Sequence, residues 1–141
     1  MQSQKAETAL QLWDRLAKVH DKFRKVQAKQ MFGEKLTAPQ FCVLEVIYKL
    51  GPVPLKKISE ETMVTGANIT CVVDNLEEMG FVKRVHSKED RRVITAELTN
   101  SGKSKLEKIL PAYYENIASL VTKISDNEQK QLNNVLGKLM G

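Results

Sequence analysis

The chain has 141 residues, 42% of them hydrophobic and 28% charged, with a formal net charge of +5. That is enough chain for one domain with a core, ordinary in composition for a globular fold, and free of the roughly 18-residue apolar run that a membrane helix needs. The positive balance permits a nucleic-acid partner without requiring one.

The opening MQSQKAETALQLW has neither the apolar core nor the cleavage site of a secretory leader, so the expected location is the cytoplasm. Leu12, Trp13, Leu16, Val19, His20, Phe23 and Val26 recur at helical spacing, which predicts a long amphipathic helix over about residues 5–30, ended by Gly33. Thr37 and Gln40 form a capping box for a second helix, with Phe41, Leu44, Ile47 and Tyr48 as its buried stripe and Gly51-Pro52 as its stop. LKKISEET reads as a short third helix. A fourth helix runs over 65–79, with Thr65 as N-cap and Gly80 closing it in the left-handed conformation. Its Ile69, Val72, Val73 and Leu76 share one face, and Asn68, Cys71, Asp74, Asn75 and Glu78 share the other. FVKRVH and VITAEL have strand character and flank a charged tip, SKEDR. A helix then carries Leu106, Ile109, Leu110, Tyr113, Ile117, Leu120 and Ile124 to about Ser125, with a kink expected at Pro111. SDNE opens a last helix bearing Leu132, Val135, Leu136 and Leu139.

The fold class that follows is mainly α with a small antiparallel β wing. One domain over residues 1–141 is expected, with a winged helix-turn-helix at 37–99 between dimerisation helices at 1–36 and 100–141. A helix over 101–125 would be on the order of 37 Å long. A compact domain of this size has a radius of gyration of about 14 Å. The outer apolar stripes therefore need cover, and a second copy about a two-fold axis supplies it.

Charge is unevenly placed. From Phe81 to Arg92 there are five Lys or Arg against two Asp or Glu, whereas Leu55 to Gly80 holds two against five. The fourth helix offers Thr65, Ala67, Asn68, Thr70 and Cys71 near its N-terminal end, the end that enters the major groove in helix-turn-helix proteins. Asn can pair with adenine, and Thr can meet bases, phosphates or a thymine methyl. Arg91 and Arg92 on a narrow hairpin can reach a minor groove, whose negative potential attracts arginine. Asp90 beside them can hold a guanidinium in one rotamer through a bidentate pair. Lys83, Arg84 and Lys88 add salt-sensitive phosphate affinity.

VTGANITCVVDNLEEMGFVKRVHSKEDRRVITAELTNSG resembles the MarR family of winged helix-turn-helix transcription regulators. The most specific part pairs T-x-x-x-x-T-x-x-V-D-x-L-E with D-R-R and L-T-x-x-G. The resemblance implies a homodimeric repressor on a palindromic promoter site. It implies major-groove contacts from Thr65, Ala67, Asn68 and Thr70, and a minor-groove Arg92 steadied by Asp90. It also implies a small aromatic effector, for which His20, Tyr48 and Tyr113 are the candidate lining residues. The chain departs from the family in carrying no Lys or Arg between Thr65 and Met79, where relatives have arginine at the positions of Cys71 and Asn75.

Cys71 near a helix start would obstruct DNA binding if oxidised, but no basic neighbour on its helix activates the thiolate, and an inert small residue is the favoured reading. Cys42 reads as a buried small hydrophobe. Two distant histidines, with no metal-ligand spacing, cofactor loop or nucleophile motif, argue against an enzyme. The alternative class is a winged-helix adaptor that binds an acidic protein partner without specific DNA binding.

Overall fold

The computed structural model describes residues 3–64 and 66–141, and at 66 and 67 the backbone only. Its elements run α1 (Gln4–Gly33), α2 (Ala38–Leu50), β1 (Val53–Pro54), α3 (Leu55–Glu61), α4 (Gly66–Glu78), β2 (Val82–His86), β3 (Ile94–Leu98), α5 (Asn100–Leu120) and α6 (Asp126–Leu139). The mainly helical fold with a small antiparallel sheet matches the class expected from the sequence. The expected N-cap Thr65 lies outside the described residues. No helix among the described residues is long and apolar enough to cross a membrane.

The chain divides into two compact units, Arg24–Pro111 and Met1–Phe23 with Ala112–Gly141. The first holds the core. Phe41, Val43, Leu44 and Ile47 of α2 are buried together with Ile58 of α3, Ile69, Val73 and Leu76 of α4, and Leu106, Ile109 and Leu110 of α5. Tyr48, expected in the α2 stripe, is 37% exposed, and Val43 is buried instead. The stripe is thus rotated slightly towards Val43, and Tyr48 lies at its solvent edge.

Helix ends follow local chemistry. Thr37 Oγ1 accepts the Gln40 amide at 3.2 Å, and the Thr37 amide donates to Gln40 Oε1 at 3.0 Å. Gly33 does not end α1 by itself. Lys35 takes the left-handed conformation at φ 62°, its amide donates to Phe32 O, and the Leu36 amide donates to Met31 O. Buried Met31 and Leu36 supply the apolar contact of this closure, which outweighs the steric cost at a lysine. Gly80, at φ 83°, closes α4 through the same pair of bonds, Gly80 N to Glu77 O and Phe81 N to Leu76 O.

Strand β1 was not expected. It is two residues long and contains proline, so no alternation could reveal it. Val53 pairs with Ala96 and Pro54 with Thr95, which makes β3 the central strand in the order β1-β3-β2. In the second unit α5 stops at Leu120, short of the expected Ser125. Residues 121–124 form a tight turn whose Val121 and Ile124 carbonyls accept Gln129 Nε2 of α6 at 3.1 and 3.3 Å. Ser125 and Glu128 then form the expected capping box. Pro111 lies inside α5.

Candidate nucleic-acid interface

The candidate interface is built on α4 and the β2–β3 hairpin. Ile69, Val73 and Leu76 anchor α4 in the core, which leaves Asn68, Thr70, Cys71, Asp74 and Asn75 exposed along the opposite face. Asn68, Thr70 and Cys71 thus share the solvent face expected of them. Thr65 lies outside the described residues, and so does the side chain of Ala67.

The hairpin is set by full register between β2 and β3, from Val82 opposite Leu98 to His86 opposite Ile94. At its tip the Ser87 amide donates to Val93 O at 2.8 Å, and the Val93 amide donates to Asp90 O at 2.9 Å. His86 Nδ1–H donates to the Arg91 carbonyl at 2.8 Å, which fixes that tautomer. Asp90 organises the turn. Its Oδ1 accepts the Arg92 amide at 3.0 Å and Nε at 3.1 Å, and its Oδ2 accepts NH2 at 3.2 Å. One carboxylate therefore caps the turn and grips the guanidinium by two atoms. The Arg92 side chain stays 91% exposed. The Arg92 side chain, and then its backbone amide, hold the Asp90 carboxyl below the ordinary aspartate value of 3.8. Lys88 and Arg91 are exposed as well. Lys83 reaches Glu97 across the hairpin at 3.7 Å.

Arg84 is placed differently from the other hairpin cations. Its NH2 donates to Asp74 Oδ1 at 2.5 Å and to the Thr70 carbonyl at 3.4 Å, and NH1 donates to Glu77 Oε1 at 3.0 Å. Its backbone amide donates to Glu77 Oε2 at 3.0 Å. The guanidinium counted in the sequence as a phosphate contact is thus engaged by α4. Strand alternation carries the missed signal: Arg84 follows buried Val82 by two residues and so faces the same side of the sheet, towards α4.

The root of the hairpin is also locked. Thr99 Oγ1 donates to Gly80 O at 2.6 Å and accepts the Gly102 amide at 3.0 Å, while the Thr99 amide donates to Phe81 O at 3.0 Å. A Cβ at Gly102 would lie 2.1 Å from Phe81 O, so this contact between α5 and the residue that leads into β2 admits only glycine. The L-T-x-x-G signature fixes the wing's base.

Comparison with known proteins decides the lineage. The sequence profile of the MarR family matches residues 36–94. The transcriptional repressor YetL of Bacillus subtilis is 34% identical over 136 residues, covering 93% of this chain and 80% of the relative. The chain belongs to the MarR family. It is a transcriptional regulator of that family, as its relatives are named. A probable transcriptional regulator from Pseudomonas aeruginosa is 26% identical, covers 92% of this chain and 96% of its own, and superposes with a TM-score of 0.81. A mutant MarR from E. coli complexed with operator DNA shares the fold at 21% identity, with a TM-score of 0.86 over 99% of this chain and 100% of that one.

The expected effector residues fall in different units. Tyr48 belongs to Arg24–Pro111, and His20 and Tyr113 belong to the other unit. Tyr48 lines a groove of about 550 Å³ with Ile47, Pro52, Glu97, Lys103 and Glu107, and its hydroxyl donates to Glu107 Oε1 at 3.4 Å. Cys71 is exposed. Cys42 is half-buried against Gln27, and burial, then the Glu45 charge, push its thiol up, opposed in part by the Gln27 hydrogen bond.

Proposed function

We propose that this MarR-family regulator is a homodimeric repressor that binds a palindromic promoter site in the cytoplasm. Each α4 enters the major groove through Thr65, Ala67, Asn68, Thr70 and Cys71, and each hairpin sets Arg92 in the adjacent minor groove. The observation that carries the reading is the tip itself: Asp90 grips Arg92 by two guanidinium atoms while the arginine remains 91% exposed. A side chain held in one rotamer yet open to solvent loses less entropy when a ligand meets it. Lys83, Lys88 and Arg91 supply the salt-sensitive part of the affinity. The repressor named among the relatives supports the sign of the effect.

Dimerisation is supported by the second unit, where no described residue of Met1–Phe23 or Ala112–Gly141 is buried. Trp13 is 71% exposed, Leu132 47% and Leu139 62%. Helices with apolar faces this open need a partner, and a second copy offers the matching faces. Release from DNA follows from a small aromatic effector that meets Tyr48 in its groove. The groove beside Tyr48 has the size of a small-molecule site.

The test is binding to the protein's own upstream region, against a scrambled duplex, at two salt concentrations. A regulator prefers the palindrome and loses affinity steeply with salt. Arg92→Ala should weaken specific binding by about 1–3 kcal/mol and leave the dimer intact. Equal binding to both duplexes refutes the reading and favours a protein–protein adaptor.

A further inference from the structure

The reading helix presents a charge problem. Between Gly66 and Glu78 it carries Asp74, Glu77 and Glu78 and no cation, yet it is the element proposed to approach a polyanion. Arg84 answers it from the neighbouring strand. Its guanidinium contacts Asp74 and Glu77 at 2.5 and 3.0 Å, and its side chain is only 22% exposed. Glu77 holds both the side chain and the backbone amide of Arg84. Only residues 79–81 connect α4 to β2 along the chain, so this cluster is a second attachment between the two elements. A planar guanidinium can serve two carboxylates and a carbonyl at once, which an ammonium cannot do with the same fixed geometry.

We propose that Arg84 is a positioning residue for DNA recognition. It locks the hairpin to α4 so that both enter their grooves as one body, and it neutralises two carboxylates on the DNA-facing helix. It acts through Asp74 and Glu77 and does not hold a phosphate. The inference rests on the regulator reading above.

The test uses the full chain and fluorescence anisotropy with a labelled palindromic duplex from the protein's own upstream region and a scrambled duplex, over a series of salt concentrations. The wild type is read first: if it shows no preference for the palindrome, the regulator reading fails and takes this inference with it. Given that preference, Arg84→Gln should reduce the ratio of specific to non-specific affinity about 10-fold, and Arg84→Lys, which keeps the charge but not the fork, should reduce it as well. In an Asp74→Asn/Glu77→Gln background, adding Arg84→Gln should change the ratio by less than about 2-fold, because the groups it acts through are gone. The salt slope should be the same in that background with and without Arg84. A slope that falls by about 0.9 when Arg84 is removed there marks a direct phosphate contact and overturns the proposal. So does a set of Arg84 variants that melt earlier but, while folded, keep the wild-type ratio, since that is the signature of a residue needed for stability alone.

Discussion

Gly102→Ala should damage the base of the hairpin. The added Cβ would stand 2.1 Å from Phe81 O and 2.9 Å from Phe81 C, both backbone atoms with no rotamer to yield. Ordinary contact begins at 3.4 Å, so α5 must retreat by about 1.3 Å, the difference of the two distances. That retreat breaks the bonds from Thr99 to Gly80 O at 2.6 Å and to Phe81 O at 3.0 Å. Two hydrogen bonds at about 1 kcal/mol each, added to an overpacking cost of about 1–3 kcal/mol, give roughly 3–5 kcal/mol. For a chain of this length that lowers the melting temperature by about 10–20 °C. Scanning calorimetry of the purified variant reads it directly. Gly33→Ala is the control, because a Cβ there meets nothing within 4 Å and its φ is not positive, so it should change stability by less than about 1 kcal/mol. A Gly102→Ala protein that melts within about 2 °C of wild type would show that the contact is not as close as described, and the account of the L-T-x-x-G signature would fall with it.

The Asp90 carboxyl should titrate below 3.8 by carbon-detected NMR and return towards that value in Arg92→Ala. Because its pKa is depressed in the folded chain, the grip on Arg92 is present above the ordinary aspartate value and is lost as pH falls through the depressed one; an unshifted titration, the same in both proteins, contradicts it. Iodoacetamide at neutral pH should alkylate exposed Cys71 first, with Cys42 slower because burial and Glu45 raise its thiol, and mass spectrometry after Cys71→Ser should show the fast phase gone. Deleting residues 126–141 should give a monomer or an insoluble chain by size-exclusion chromatography, and a well-behaved dimer from that deletion speaks against the proposed interface.

Much of the fold was legible because its signals are local. Thr37 with Gln40, Ser125 with Glu128, and Gly80 at a helix end each encode a boundary within four residues, and each boundary is where the sequence put it. Other features depend on distant partners. Val53–Pro54 becomes a strand only because β3 is there to pair with it. Lys35 adopts a left-handed backbone because Met31 and Leu36 are buried on either side, a fact of packing and not of local propensity. Arg84 looked like one more cation in a basic hairpin until the register turned it towards Asp74 and Glu77. Charge counts along a chain cannot separate a cation offered to solvent from one already paired.

The distribution of buried side chains links fold to function. Every buried hydrophobic residue among those described lies between Met31 and Leu110. The reading unit thus has its own core, and α4, the hairpin and the start of α5 are tied together by Arg84, Gly102 and Thr99. The helices of the other unit carry exposed Leu10, Trp13, Val19 and Val135 with no core beneath them. Under the dimeric reading, that unit gains its core only by joining a second copy, and the same step places two reading units on one duplex. The second contact with DNA is then intramolecular, and such coupling raises affinity by about 10²–10⁴ without any added protein–DNA bond. A reading helix without a single lysine or arginine can be weak alone and still give a selective dimer.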